Sequence, residues 1–285
     1  MKLLLGESSG ATGEDVDAGG LCLSSFNDIR FTKSDGTTLL DYWIESVSGA
    51  TPNQLATIWI EFDSIGTGAT TFYMYYGNAG ASAASNGDNT FLFFDDFPGS
   101  ALDGTKWNGS GSVGSSLLTL TSGEITGKTT VGTNTRFRGL MKYGTNSSYM
   151  KFGFYLETAG NSAANYYANH TTGSQLNAET KHNGSATFVA LGNVGHNAYN
   201  IFEVKRNNST NVQFEINGTN VQTTTTNLSS NSLYADIHAQ SQTVYSEWVF
   251  ISQFLGTEPA WGSWGAEEEA PPPPSTFTPR IIMIM

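Results

Sequence analysis

The chain has 285 residues, a formal net charge of -12, and a composition poor in charge but rich in glycine and aromatic residues. That length favours two compact domains, each with its own core. The acid excess excludes a nucleic-acid backbone or an anionic membrane surface as partner, since either needs a basic patch and Lys and Arg are dispersed. The lone Cys22 excludes an internal disulfide framework and reads as a small buried hydrophobe.

Gly, Ser, Thr, Asn and aromatics in this mixture predict many short strands joined by turns, so the expected class is all-β. Lys2 to Leu5 reads as a strand; Gly6 cuts the apolar run too short for a signal-peptide core, and no stretch is long enough to span a bilayer. Gly10 to Gly20 carries Glu14, Asp15 and Asp17, which could offer oxygens to Ca2+. The ordered ligand pattern of an EF-hand is absent, however, and a solvated loop is the simpler reading. Phe26 to Phe31 and Leu39 to Glu45 flank Asp35-Gly36 and predict a hairpin. Thr57 to Phe62 alternates, with Ile58, Ile60 and Phe62 opposite Trp59 and Glu61, and Phe72 to Tyr76 is a further strand.

Phe91 to Phe97, bounded by Asn86 to Asn89 and by Pro98-Gly99, predicts a short buried strand at the seam between two domains, residues 1–90 and 91–260. Strands are then expected at 117–120, 135–141, 149–156, 186–191, 199–205, 212–216, 233–239 and 244–254, the pattern of a jelly-roll-like pair of antiparallel sheets. Asn217-Gly218 reads as a hairpin turn. Residues 261–285 change character: an acidic stretch, Pro271 to Pro274, and the apolar Arg280 to Met285, which has the length of one strand.

The order F-N-D-I-R-F, D-G-T, L-D-Y-W-I-E, T-I-W-I-E-F, F-Y-M-Y-Y-G-N and F-F-D-D-F, from about Lys2 to Phe97, resembles a domain of unknown function in surface proteins of bacteria, archaea and their viruses. The resemblance implies that a concanavalin A-like, laminin G-like sandwich follows. The opening F-F-D-D-F with L-D-G-T-K-W and the closing S-E-W-V-F-I-S-Q-F look like that module's first and last strands. Members of the first family usually carry an extra aromatic-basic strand ahead of this chain's start, so the first sheet is expected to have an open edge. The second family often binds structural Ca2+ near a sheet edge, which makes Asp95 and Asp96 the implied metal candidates.

A glycoside hydrolase needs two carboxylates flanking the scissile bond. The strand-borne E-x-D is Glu61-Phe62-Asp63, in the first domain, and Gly66 stands where E-x-D-x-x-E requires its second Glu. Glu157, Glu179, Glu203, Glu215 and Asp236 occur singly, G-x-S-x-G is absent, and His170, His182, His196 and His238 lack metal-ligand spacing. Catalysis is therefore not expected. Glycan binding needs only an aromatic platform with nearby hydrogen-bonding groups. Alternation places Tyr234, Asp236 and His238 opposite Leu233, Ala235 and Ile237, and Tyr155 opposite Phe152, Phe154 and Leu156. Tyr155, Tyr234, Asp236 and His238 are the expected glycan patch; the alternative is that they are ordinary exposed or second-layer residues.

The resulting expectation is a two-domain, all-β, non-catalytic protein of the extracellular space, cell surface or virion. It adheres to a polysaccharide or cell-surface glycan through its second domain and assembles as a homo-oligomer through Arg280 to Met285. The rivals are a fibre or capsid-decorating subunit and a hydrolase.

Overall fold

The computed structural model describes residues 1–8, 13–66, 68–144, 149–158, 161–168, 175–192, 196–208, 210–240, 242–269 and 280–284, with backbone only at 168, 268–269 and 280–284. It is all-β and divides into Met1–Thr90 with Glu258–Met285, and Phe91–Thr257. No helix among the described residues is long and apolar enough to cross a membrane.

The first unit contributes β1 (Lys2–Gly6), β2 (Val16–Asp17), β3 (Arg30–Lys33), β4 (Leu39–Leu40), β5 (Tyr42–Ser48), β6 (Leu55–Ile60), β7 (Phe72–Tyr76) and a single helical turn, α1 (Gly87–Thr90). One sheet runs β2-β1-β6-β5, with β2 parallel to β1 and the other pairs antiparallel. The predicted alternation of β6 sends Ile58 and Ile60 into a core with Leu3, Leu5, Phe31, Phe72 and Met74. On its other face Trp59 is also buried, its indole N–H donating to Glu45 Oε2 at 2.7 Å. The hairpin around Asp35-Gly36 forms between β3 and β4, Asp35 Oδ1 accepting from the Thr37 and Thr38 amides at 2.9 and 2.8 Å. It is shorter than predicted because the chain leaves this sheet at Asp41, and Tyr42 onward joins β6 in the other sheet.

The second unit is built from β8 (Phe93–Asp95), β9 (Trp107–Gly109), β10 (Ser112–Val113), β11 (Leu118–Leu120), β12 (Gly123–Val131), β13 (Thr135–Tyr143), β14 (Met150–Leu156), β15 (Ser162–Ala168), β16 (Leu176–His182), β17 (Ser185–Gly192), β18 (Asn200–Asn207), β19 (Asn211–Ile216), β20 (Thr219–Thr224), β21 (Leu233–Ala239) and β22 (Val244–Gln253). They form a jelly roll of two antiparallel sheets. One is eight-stranded, β10-β11-β22-β13-β18-β19-β20 with β8 also on β22, and the other seven-stranded, β17-β16-β15-β14-β21-β12-β9. Alternate residues of both meet in one core, including Phe137, Phe152, Phe154, Tyr166, Phe202, Phe214, Ile237 and Ile251. β19 and β20 are joined by Asn217-Gly218 with φ of 52° and 77°, the positive pair that a two-residue hairpin turn of this hand requires. Back in the first unit, β23 (Trp264–Glu269) and β24 (Arg280–Ile284) complete a sheet of order β23-β24-β7-β3-β4. The stretch expected as an acidic linker is thus a strand over 264–269, with Trp261 and Trp264 packed against Phe72 at ring-centroid distances of 5.6 and 6.1 Å.

Buried charge on the second unit's eight-stranded sheet is organised around one carboxylate. Glu203 on β18 meets Arg138 Nη1 at 2.6 Å, Lys205 Nζ at 2.9 Å and Arg136 Nε at 3.1 Å, while Lys205 also reaches Glu215 at 2.7 Å. Register does this: Arg138 lies directly opposite Glu203, and Arg136 opposite Lys205. Burial works to raise the Glu203 carboxyl, but its cationic neighbours Arg136, Arg138 and Lys205 overcome it and hold the group at about 2. Arg206, the next residue, turns to the other side. Its guanidinium donates to the carbonyls of Gly132, Ser229 and Asn231 at 3.0, 3.1 and 2.7 Å, and burial lowers it to about 10.

Candidate functional site

The outward face of the seven-stranded sheet collects the polar and aromatic side chains that alternation keeps out of the core. Register arranges them in three rows. Glu124, His238, Lys151, Tyr167 and Asn177 lie side by side on β12, β21, β14, β15 and β16. The next row is Thr126, Asp236, Gly153, Asn165 and Glu179, and the third includes Tyr234, Tyr155, Ala163 and Lys181. Gly153 is at φ 139°, and a Cβ there would stand 2.8 Å from Asn165 Cα and 2.9 Å from the Ala164 carbonyl oxygen. Glycine is therefore what lets β14 and β15 close up at the centre of the face.

All four residues of the expected patch point to this face, as alternation predicts, but they occupy two layers. Asp236 is fully buried and Tyr155 keeps only 8% exposure, whereas Tyr234 and His238 are half-buried. Tyr155 is covered by the Lys151 ammonium, which sits 3.2 Å from its ring centroid. The expected patch thus divides in depth: Tyr155 and Asp236 form a floor, and the accessible layer is Tyr234, His238, Tyr149, Tyr167 and Phe188. Tyr149 packs edge-on to His238 at 4.7 Å and to Tyr167 at 5.4 Å; Tyr167 in turn lies 5.1 Å from Phe188, which is 49% exposed.

The floor is electrostatically graded. Glu124 is drawn down to about 2, first by the His238 imidazole beside it and then, against the penalty of partial burial, by Asp236 and Lys151. Lys151 Nζ stands 3.5 Å and His238 Nδ1 3.7 Å from Glu124 Oε1. Asp236 moves the opposite way: burial pushes its carboxyl well above the usual range, and the adjacent Glu124 charge adds to the rise while Lys151 opposes it. Among the described residues no donor meets either Asp236 oxygen in good hydrogen-bond geometry, though the Thr126 side chain opposes the rise. Of these two neighbouring carboxyls, burial favours the neutral form on Asp236 rather than on Glu124. Among the described residues Asn165, also fully buried, has no partner in good hydrogen-bond geometry for its amide nitrogen or oxygen, and Glu179 is its ionisable neighbour. Burial likewise raises Glu179.

A carboxyl raised in the folded state favours folding while it is protonated and loses that advantage as pH climbs through and above the unfolded carboxyl range. Asp236→Asn keeps the shape without the ionisation. It is expected to match the wild type near pH 4 and to gain stability over it as pH rises toward neutrality, as read by urea unfolding at a series of pH values. Parallel profiles would contradict the assignment of the proton to Asp236.

The metal candidates at the start of this unit take another role. Asp95 is buried; its Oδ2 accepts from the Trp107 indole N–H at 2.6 Å and its Oδ1 from the Phe97 amide at 2.7 Å, which pins β8 to the Trp107 ring beneath it. Asp96 points to solvent. Among the described residues no group of three or more His, Cys, Asp or Glu is placed to hold a metal ion. In the acidic N-terminal loop, Asp15 Oδ2 accepts from the Leu4 amide and Asp17 Oδ1 from Gly19. Asp63 of the E-x-D pair is tied to Lys33. His182 and His196 lie away from the face, next to Asn183 and Asn197, and His170 lies outside the described residues.

Sequence reasoning missed Glu124, Lys151 and Asn165 and set Glu179 aside as a single carboxylate. Glu124, Asn165 and Glu179 sit on β12, β15 and β16, strands too polar to show an apolar alternation; Lys151 was visible on a predicted strand, opposite Phe152, and only the pairing of β14 with β21 reveals its neighbours.

The fold and this face define a two-unit all-β protein whose larger unit is a jelly roll with a polar-aromatic sheet face. The family described as "Domain of unknown function (DUF2341)" matches residues 25–110. No curated protein matches the chain. Solved structures similar to it include a glycosyl hydrolase family protein from Mycobacterium fortuitum, at 11% identity over 56% of this chain and 99% of that one, with a TM-score of 0.46. Another is an immunostimulatory antigen and pseudo beta-1,3-glucanase of Mycobacterium tuberculosis, at 13% identity over 57% and 98% of the two chains, with a TM-score of 0.47.

Proposed function

We propose that the second unit is a non-catalytic glycan-binding module and that its ligand lies on the outward face of the seven-stranded sheet. The observation that carries this reading is the accessible layer of Tyr149, Tyr167, Tyr234, His238 and Phe188 above ionisable groups. Aromatic rings take the apolar face of a pyranose, while Glu124, His238 and Lys181 offer hydrogen bonds to hydroxyls around it.

The carboxyl arrangement supports binding over hydrolysis. Glycosidase carboxyls stand about 5–5.5 Å apart in retaining and about 6.5–9.5 Å apart in inverting enzymes. Glu124 and Asp236 instead act on one another as neighbours, with Asp236 fully buried beneath the face. A carboxyl with no exposure is not placed to flank a glycosidic bond held on that face. The setting that goes with this ligand is outside the cell, at a cell or virion surface.

Tyr234→Ala and Tyr149→Ala are each expected to weaken retention on a bound polysaccharide about tenfold, the value of one lost aromatic stacking contact of about 1.4 kcal/mol. Affinity electrophoresis reads this directly. Unchanged mobility of both variants in a gel that retards the wild type would move the ligand off this face.

A further inference from the structure

β17 ends the seven-stranded sheet, and its far side is open. Among the described residues no backbone hydrogen bond outside the β16 ladder reaches Ser185 to Gly192. The Asn183-Gly184 turn, with φ of 48° and 80°, makes His182 and Ser185 the first hydrogen-bonded pair of the β16–β17 hairpin. Alternation then turns the N–H and C=O groups of Thr187 and Val189 toward β16 and leaves those of Ala186, Phe188 and Ala190 pointing away from the sheet. All three residues are exposed, Phe188 at 49%.

Unpaired edges recruit other strands, and proteins blunt them by shortness, bulges, charge or cover. The other edges described in this chain are blunted in these ways. β2, β4, β8, β9 and β10 have three residues or fewer. β5 is covered where the Ile44 amide donates to Ser85 Oγ at 2.9 Å and the Tyr42 carbonyl accepts from the Asn86 amide at 2.8 Å. β20 is broken by a bulge opposite Phe214 and Glu215, and β23 carries Glu267, Glu268 and Glu269. β17 has none of these devices: it is eight residues long, S-A-T-F-V-A-L-G, regular from Ser185 to Ala190 and without charge.

The strand is also its own complement. About a twofold axis at Phe188, Ala186 meets Ala190, Phe188 meets its counterpart and Thr187 meets Val189, so the outward N–H and C=O groups of all three exposed residues find partners. Aromatic pairs directly opposite one another are favourable, and like charges there are not. Asn183 to Phe202 contains no Asp, Glu, Lys or Arg, so two copies of a chain with net charge -12 meet along this strand without opposing like charges.

We propose that β17 is a docking edge for a second copy of this chain, the two Ser185–Gly192 strands pairing antiparallel so that two seven-stranded sheets run on as one. The axis is perpendicular to the sheet, so both outward faces stay on one side, and the Tyr167–Phe188 contact continues into the same contact of the second copy. The pairing stands on the backbone edge and not on the glycan reading.

Light scattering of the full chain is expected to give twice the chain mass. Ala186→Lys with Ala190→Lys sets lysines opposite each other at both ends of the contact. It is expected to halve that mass with an unchanged circular dichroism spectrum, because both alanines are exposed. Phe188→Cys lies on the axis, with Cα atoms about 5.5 Å apart, and is expected to give a disulfide-linked dimer after mild oxidation. Thr223→Cys, exposed on β20, is expected to stay uncross-linked on the same non-reducing gel. Cys22 is buried and does not compete. A wild type that is monomeric at every soluble concentration would overturn the proposal, and so would one that takes up an extended peptide along this edge in place of its own copy. A dimer that survives the double lysine substitution, or a Phe188→Cys variant that cross-links no more than Thr223→Cys, would overturn it equally.

Discussion

Replacing Glu203 with alanine is expected to lower the unfolding free energy by about 3–5 kcal/mol, because it takes away the buried carboxylate that Arg136, Arg138 and Lys205 share. Arg136, Arg138 and Lys205 all face this carboxylate, and both arginines and Glu203 are less than a tenth exposed. The pair energies gained by these contacts are largely spent on desolvation, so the network adds little over an apolar cluster of similar shape. Removing one member is a different matter, since the desolvation stays and the compensation goes. The effect is pH-dependent with a definite sign. Glu203 is depressed from its ordinary value of 4.5 to about 2, so its contribution is complete above the unfolded value and is lost as pH falls from there toward about 2. Urea unfolding of wild type and Glu203→Ala should therefore differ most at neutral pH and converge in acid. A difference within about 0.5 kcal/mol at neutral pH, the range of an ordinary surface substitution, would contradict the account.

Gly153→Ala is expected to cost about 3 kcal/mol or more, combining a backbone conformation that an L side chain rarely adopts with a direct clash. The φ of 139° cannot be relieved locally, and the nearest atoms are Asn165 Cα and the Ala164 carbonyl oxygen at 2.8 and 2.9 Å. β15 would have to move away from β14 along a ladder that is continuous from Met150–Ala168 to Leu156–Ser162. Because Asp236 and Asn165 flank Gly153 in one row, the same shift should spread the floor of the face and reduce glycan retention at temperatures where the variant is still folded. Thermal unfolding together with affinity electrophoresis separates the two effects. A variant with wild-type stability would show that the strand spacing at this point is not what holds the face together.

Much of the fold is legible in the chain because its core strands alternate. Phe152 and Phe154, Phe202 and Val204, and Leu233, Ala235 and Ile237 name both the strand and its inner face. The polar strands are not legible in the same way. Ser162–Ala168 and Leu176–His182 carry Asn165 and Glu179 on one face and mostly small or aromatic residues on the other, so no period of apolar residues marks them. The site was half visible for a related reason. Alternation places Tyr234, Asp236 and His238 on one side of a strand, but depth depends on which strands lie beside it. Only the pairing of β21 with β12 and β14 shows that Asp236 lies under Glu124 and Lys151 while Tyr234 stays accessible. The E-x-D search failed to find a carboxyl pair because the pair that exists, Glu124 with Asp236, comes from strands far apart in the chain. The same holds for Asp95: the family resemblance makes it a metal candidate, and the Trp107 indole N–H that donates to it lies on another strand.

The central claim is that the outward face of the seven-stranded sheet holds a glycan without cleaving it. The most direct measurement incubates the full chain with a panel of plant, algal and bacterial-surface polysaccharides, scoring retained protein and released reducing ends together, with Tyr234→Ala in parallel. The account predicts retention on at least one polysaccharide, its loss in Tyr234→Ala, and no release of reducing ends. Release that disappears on replacing Glu124 or Asp236, or the absence of retention across the panel, would contradict it.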